Sequence, residues 1–424
     1  MNLLRFGISG SYNKNVIGTD SKEIQDRQTE YMQKKVKFGD VVRNANHVER
    51  DPVGAGIEKV VGLEHLDSGN LHICRWNSSE DGTSFSRKFV PGQTLFGKRR
   101  AYQRKVAFAE FEGICSGDIL TFESIDPKVI LPELLPFLCQ TDAFYDYALD
   151  TSAGSLSPRT SWKALKNFEF PLPPLKEQKR IAEILWAADE VVENISTALG
   201  VLEKAEITLA YNLIPISHIQ IFTGKLKQPI PSDFKVIQGK NLFSAQSGNG
   251  EPTPSKDGSG DTLFFKVADF NRNIEETSLS TSEITFNWKQ NKNIRVFDSG
   301  TVIFPKRGAT IFLNKVGLLR KSAALDPNLM ALVPIKSRYI PDYLYWVIKL
   351  IRLHRVSETT SLPQLNHKHL MPLWLPITTM EKQREIVNLL KAAGEQRQAI
   401  ERHLDKAIVL RKNVMERKIG VAHV

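Results

Sequence analysis

The residues in this chain best placed to do chemistry are cations. Lys98, Arg99, Arg100, Arg104 and Lys105 fall within eight consecutive residues, with Tyr102 among them. Lys306 and Arg307, followed by Arg320 and Lys321, occupy the corresponding place in the second half. A guanidinium can bridge two acceptors on a guanine edge, and either cation can neutralise a phosphate. The competing account is a solvated hairpin rim. Recurrence of the Lys-Arg pair in both halves favours a polyanionic partner, with most of the contact made to phosphate. A formal net charge of +10 fits such a partner without requiring one.

Two polar loops form the second group. The first offers Ser155, Ser157, Arg159 and Thr160, and the second Gln364, Asn366, His367 and Lys368. Gln and Asn are the side chains that read adenine through paired hydrogen bonds, although Ser, Thr and Asn serve equally in caps and turns. The Gly- and Pro-rich stretch at residues 247–256, and Asn44, Asn46, His47 and Arg50 in the first half, are weaker candidates for the same work.

Catalytic chemistry finds no support. An adenine methyltransferase needs Asn/Asp-Pro-Pro-aromatic and a Gly-rich loop, whereas Asp326-Pro-Asn stops short of the first and Gly54-Ala-Gly56 of the second. Thr223-Gly-Lys-Leu lacks the leading Gly and the final hydroxyl of a phosphate loop. Glu110 and Glu112 have no nuclease partner pattern, and His367-x-His369 is the only metal-like His spacing. No catalytic residue and no metal site is therefore expected. Cys74, Cys115 and Cys139 never take Cys-x-x-Cys spacing, which points to a reduced, cytoplasmic chain without disulfides or zinc. No apolar run has the length of a membrane span, and the N-terminus lacks a signal pattern.

The elements that must position these residues come in two copies. Short β-branched and aromatic runs at residues 59–63, 85–90, 94–96, 106–111 and 119–122 predict strands, and residues 132–147 a helix. Residues 20–35 are too weakly patterned to assign. Phe96-Gly-Lys-Arg-Arg100 answers Phe304-Pro-Lys-Arg-Gly308 at an offset of 208 (304 − 96), and Ser155-Leu156 answers Ser361-Leu362. Each copy ends in a long helix, the first over residues 176–212. Ile181, Ile184, Ala188, Val191, Ile195, Ala198, Leu202, Ala205 and Leu209 alternate at steps of three and four, as a coiled-coil seam does. Ile386, Leu389, Ala393, Gln396, Ile400, His403, Ala407, Leu410 and Val414 repeat it at an offset of 205 (386 − 181). Helices of roughly 55 Å exceed what one small domain covers, so pairing of the two, antiparallel, is expected.

Pro171-Leu-Pro-Pro-Leu-Lys-Glu-Gln178 heads the first helix. Together with the duplication it resembles the type I restriction-modification specificity subunits, over essentially the whole chain from Val36. Phe222-Thr-Gly-Lys-Leu226 is similar to the close of that family's first conserved region. In the second copy Thr378, Thr379 and Lys382 replace the second and third Pro and the Glu, leaving the helix start intact.

The resemblance implies an α+β chain: a mixed, largely β target recognition domain at residues 1–170, a long helix at 171–226, a second recognition domain at 227–375 and a second helix at 376–424. The helices pair as an antiparallel coiled coil, with a pseudo-two-fold relation between the halves. It further implies a non-catalytic, cytoplasmic subunit that reads a bipartite, asymmetric site in double-stranded DNA. Lys98, Arg99, Arg100, Arg104, Lys105, Arg159, Lys306, Arg307, Gln364, Asn366, His367 and Lys368 are its candidate DNA contacts. The helices would set the unread spacer and dock two methyltransferase subunits around Glu177, Gln178, Ile181, Ile184, Gln383, Ile386 and Leu389, with motor-nuclease subunits joining for restriction. The chain itself would hold no cofactor, S-adenosylmethionine, ATP and magnesium residing on its partners. The competing readings are a coiled-coil scaffold that is basic by accident and a self-sufficient nuclease or methyltransferase.

Overall fold

The computed structural model describes residues 35–154, 157–255, 258–272, 278–358 and 363–419. Ser155, Leu156, Lys256, Ser361, Leu362 and nearly all of the weakly patterned segment 20–35 lie outside the described residues. The chain forms two compact units. One joins the described residues up to Ile195 with those from His403, and the other spans Ser196–Arg402.

In the first unit an antiparallel four-stranded sheet has the order Val42–Asn44, Ile119–Ser124, Thr94–Gly97, Val106–Phe108. A second sheet runs His47–Val48, Arg87–Phe89, Gly113–Cys115, Lys59–Val61, Asn77–Ser78, with Lys59–Val61 parallel to Gly113–Cys115. The second unit repeats the plan. Its first sheet has the order Phe243–Ser247, Leu329–Pro334, Val302–Pro305, Gly317–Leu318. Its second runs Ile284–Phe286, Thr262–Phe265, Ala323–Leu325, Val296–Phe297, again with one parallel pair. In both units a two-stranded ribbon fastens the start of the domain to the strand before the long helix: Lys35–Lys37 with Glu169–Pro171, and Lys235–Gln238 with Trp374–Ile377. The duplication expected from motif offsets is thus a duplication of topology, save that the edge strand His47–Val48 has no counterpart among the described residues of the second unit.

The helix expected at residues 132–147 is interrupted. A short turn and the helix Leu135–Leu138 precede Asp142–Asp150, which starts afresh because the Thr141 hydroxyl accepts from the Phe144 amide at 3.3 Å. A hydroxyl that competes for a backbone donor ends one helix and caps the next. Phe96, Phe122, Phe144 and Phe170 then gather around Phe38 to form the core between sheet and helices.

The two long helices span Leu175–Leu213 and Met380–Ile419. In the first unit Ile181, Ala182 and Leu185, from the start of one, share a core with Met415 and Ile419, from the end of the other. In the second unit Ala210 and Ile214 share a core with Ile386 and Leu390. Start meets end in each unit, so the helices run antiparallel.

The seam has a different phase from the one expected. Ile184, Val191, Leu389 and Leu410 are 41–63% exposed, and Ala198, Ala205, Gln396 and His403 also face outward. The buried or half-buried line is Ile181, Leu185, Ala188, Val192, Ile195, Leu199, Leu202, Glu206, Leu209, and 205 residues on (386 − 181) Ile386, Leu390, Ala393, Arg397, Ile400, Leu404, Ala407, Arg411, Val414. Apolar neighbours such as Ile184–Leu185 and Leu389–Leu390 let periodicity fit either phase. The true seam carries charges, which made it the less hydrophobic of the two on paper.

Those charges are paired within each unit. In the first, Arg411 is ion-paired with Asp189, both nearly inaccessible, and its second Nη donates to the Gly69 carbonyl at 2.6 Å. His72 completes the cluster, with Nε2 3.0 Å from Asp189 Oδ2 and Nδ1 2.9 Å from Glu110 Oε1. In the second unit Arg397 Nε donates to Glu206 at 3.0 Å and Nη1 to Glu401 at 3.2 Å. Acids on one helix meet bases on the other, so only the unlike pairing neutralises both seams.

Because both His72 nitrogens face carboxylates, the imidazolium is the form that satisfies them. The hydrogen bond to Glu110, partly opposed by burial, raises the His72 pKa above its ordinary value of 6.5. Its stabilising contribution is therefore complete below the unfolded value and lost as pH rises through the higher folded one. The Tm difference between wild type and His72→Gln is expected to be largest below the ordinary imidazole pKa of about 6.5 and to shrink as pH rises through the higher folded value. A difference that did not change with pH would exclude the charged bridge.

Candidate nucleic-acid interface

The strand Thr94–Gly97 leads directly into Lys98, Arg99 and Arg100. Its neighbour Ile119–Ser124 supplies one side of the frame, the Lys98 amide donating to the Asp118 carbonyl at 2.9 Å. The other side is the polar loop: Arg100 N donates to Pro158 O at 2.7 Å and Thr160 N to Lys98 O at 3.0 Å, making Arg99 and Arg159 an antiparallel bridge pair. The second domain has the same construction. Lys306 N donates to Asn328 O at 2.9 Å, Gly308 N to Pro363 O at 3.0 Å and Leu365 N to Lys306 O at 2.8 Å, so that Arg307 pairs with Gln364. Two candidates that are separate in sequence are one patch in each domain. Residues directly opposite in an antiparallel pair project to the same side, which sets Arg99 beside Arg159 and Arg307 beside Gln364.

The patch is held from within. Arg99 Nε donates to Ser157 Oγ at 2.7 Å, and Asp118 lies against both arginines, 3.5 Å from Arg99 and 3.1 Å from Arg159. In the second domain, with its amide oxygen turned towards the guanidinium, Gln364 accepts from Arg307 Nε and Nη2 at 3.1 and 3.2 Å. Asn328 stands where Asp118 stands in the first domain, so the carboxylate that lies against Arg99 and Arg159 is replaced there by a neutral amide. Burial, and then the Arg87 guanidinium, lower the Lys98 pKa; burial, and then Arg307, lower that of Lys306. Lys306 is 9% exposed and donates to Ser247 Oγ at 2.7 Å, so it acts as a post beneath the patch. Arg100 takes the left-handed conformation, φ 53°, where the second domain has Gly308. That conformation costs a non-Gly residue about 1–2 kcal/mol, and it turns the Arg100 side chain outward at the strand end.

The remaining candidates divide. Arg104 is engaged by Asp142 at 2.5 Å and lies over the Tyr145 ring, while Lys105 Nζ donates to Leu63 O at 2.6 Å. Both are held by their own domain rather than joined to the patch. Asn366 precedes the short helix His367–Leu370, and its amide donates to His369 Nδ1 at 3.1 Å. His369 and Lys368 converge on Glu358, at 3.1 and 2.9 Å, and Lys368 holds that carboxyl below the usual range. His367 is exposed.

Of the helix residues, Ile181 and Ile386 are buried in the pairing and Ile184 and Leu389 face outward. Glu177 is half-buried to exposed at the helix start, whereas Gln178 and Gln383 point inward. Sequence reasoning missed Asp118 and Asn328 and gave Ser247 only a weak place within the stretch 247–256, because only strand register brings them beneath the cations. Among the described residues no cluster of His, Cys, Asp and Glu could hold a metal ion, and no helix is long and apolar enough to cross a membrane.

Two domains of one topology, each presenting a cationic strand end against a polar loop and each followed by a long helix, define a duplicated recognition architecture. Residues 58–204 match the family profile described as the type I restriction modification DNA specificity domain. The chain is 32% identical over 127 residues to the type I restriction enzyme EcoDI specificity subunit of Escherichia coli, covering 28% of each chain. It is 29% identical over 137 residues to the MjaIX specificity subunit of Methanocaldococcus jannaschii, covering 31% of this chain and 32% of that one. The aligned segment is thus about a third or less of these relatives' length. The fold extends much further. A chain from a structure of type I R-M complex assembly and conformational transition superposes with a TM-score of 0.54 at 19% identity, covering 91% of this chain and 97% of that one. The type I restriction-modification S subunit from M. genitalium gives 0.52 at 14% identity, covering 92% and 96%. Over residues 58–204 the chain is thus similar to the type I restriction modification DNA specificity domain, and over about nine-tenths of its length its fold is similar to that of these two solved chains.

Proposed function

We propose that this chain is the DNA-recognition subunit of a type I restriction-modification complex, each domain reading one half of a bipartite, asymmetric target. The observation that carries the reading is the recurrence of one composite patch, Lys98–Arg99–Arg100 against Arg159 and Lys306–Arg307 against Gln364, on two domains of different sequence. Arg99, Arg159 and Arg307 supply cations for phosphate or guanine, and Gln364, Asn366 and His367 supply polar groups for base edges. The recognition domains are taken as residues 1–170 and 227–375. The two helices, at 171–226 and 376–424, set the spacer and dock two methyltransferase subunits, which hold S-adenosylmethionine and methylate adenine. Outward-facing Ile184 and Leu389 are suited to that docking. Motor-nuclease subunits using ATP and magnesium complete the restricting complex. The unpaired Cys74, Cys115 and Cys139 are in keeping with a cytoplasmic site of action.

Sequencing methylated adenines in the native genome tests this directly, and a bipartite motif is the expected result. Exchanging residues 36–170 for another such domain is expected to alter one half of that motif and leave the other. A change in both halves would refute the two-domain reading. With the methyltransferase subunits present, duplex affinity is expected to fall steeply with salt. Arg99→Ala or Arg307→Ala should each lower the slope of log affinity against log salt by about one, whereas Arg104→Ala, already engaged by Asp142 and Tyr145, should leave it unchanged. A scaffold protein would show no salt-sensitive duplex binding, and a self-sufficient enzyme would methylate or cut without partners.

A further inference from the structure

Beside each cationic strand end the chain makes a short turn that holds an aromatic ring out in solvent. In the first domain Ala101–Gln103 forms that turn, in the second Ala309–Ile311. Ala101 and Ile311 are each 1% exposed, and the residues that follow them, Tyr102 and Phe312, are 56% and 62% exposed. The two rings are topological equivalents, 210 residues apart (312 − 102), although the second turn is longer by two residues.

Both turns are fixed at both ends. Arg100 and Gly308 enter with φ 53° and 76°, and Arg104 and Asn314 leave with φ 49° and 50°. The outgoing residues are anchored: Arg104 by Asp142 and the Tyr145 ring, and Asn314 by donating to Lys349 O at 2.8 Å and accepting from Leu353 N at 2.9 Å. His354 supports Phe312 from one side, ring centroids 6.1 Å apart. A single exposed apolar residue needs no explanation. The same ring position reached twice, through loops of different length and different anchors, does need one.

We propose that Tyr102 and Phe312 are apolar contact residues for duplex DNA. Each ring packs on the sugars of its own half-site and wedges at the edge of a base step in the groove, next to the phosphates held by Arg99 or Arg307. This rests on the DNA-recognition reading and names a contact that charge alone would not reveal. A rigid apolar ring beside a cation can lean into a groove and partly open a base step, and the apolar surface it buries adds affinity without a charge.

The discriminating property is that such a contact displaces no counterions. The full chain with its methyltransferase subunits is titrated with a duplex carrying the methylated bipartite motif, over a range of salt concentrations. Tyr102→Ala and Phe312→Ala are each expected to weaken binding about tenfold at every salt concentration, with the wild-type slope retained, and Tyr102→Phe to bind as wild type. Because both rings are exposed, the Tm of each variant should match wild type, which separates a lost contact from a lost fold. Wild-type affinity for both alanine variants would overturn the inference while leaving the DNA-recognition reading in place; a reduced salt slope would overturn it by assigning the site to phosphate. Failure of the wild-type complex to bind the duplex would remove both.

Discussion

Arg411→Met is expected to destabilise the first unit by about 3–5 kcal/mol, because it leaves Asp189 charged in a site from which water is excluded. Asp189 is 3% and Arg411 7% exposed, so neither can be rehydrated without parting the helices. Arg411 also donates to the Gly69 carbonyl, so its loss frees a second acceptor. His72 remains beside Asp189 and limits the damage, which places the effect at the lower end of the range below about pH 6.5 and higher above it. Denaturant or thermal unfolding measures this, at roughly 2–4 °C of Tm per kcal/mol for a unit of this size. The double variant Asp189→Leu with Arg411→Met removes both charges and is expected to recover most of the loss, since an apolar pair of similar volume replaces a buried ion pair at little cost. Single and double variants of equal stability would mean that the pair contributes by shape alone.

Gln178→Leu has the second large effect, about 3 kcal/mol or more, and Gln383→Leu should match it in the second unit. Gln178 Oε1 accepts from Leu131 N at 2.9 Å, while Nε2 donates to Val129 O and Pro173 O, both at 2.8 Å. Gln383 repeats the three bonds, accepting from Ile340 N at 2.9 Å and donating to Arg338 O at 2.8 Å and Thr378 O at 2.9 Å. They are 1% and 0% exposed. A leucine of similar length would leave three backbone groups without partners, each costing about 1–3 kcal/mol. Faster hydrogen exchange at the Leu131 or Ile340 amide is the local signature expected alongside the global loss. Near-wild-type stability would mean that water satisfies the three groups. These glutamines join each long helix to the domain before it, a role that the Glu-Gln pairing at the helix start did not suggest.

The seam illustrates what periodicity can and cannot decide. A run with apolar residues at both 184 and 185, and at both 389 and 390, supports a helix with a buried stripe in either phase. Counting hydrophobic residues favours the phase that avoids Glu206, Arg397 and Arg411. The folded chain uses the phase containing them, because each charge meets its opposite on the other helix. A charge is costly in a seam only when it is alone, and the sequence of one helix does not say what faces it.

From the sequence alone came the duplication, the two long helices that follow each copy, the cationic strand ends at Lys98–Arg100 and Lys306–Arg307, and the absence of a catalytic motif. These are local: motif offsets, proline stops and side-chain periodicity need no knowledge of what lies across the fold. Only the tertiary structure joined Arg99 to Arg159 and Arg307 to Gln364, turned Gln178 and Gln383 inward, brought His72 to Asp189 and held Tyr102 and Phe312 outward. Each of these depends on strand register or on a partner dozens to hundreds of residues away. Such pairings are selected by the packing of the whole unit, where one residue of slip would bury a charge or expose a core face.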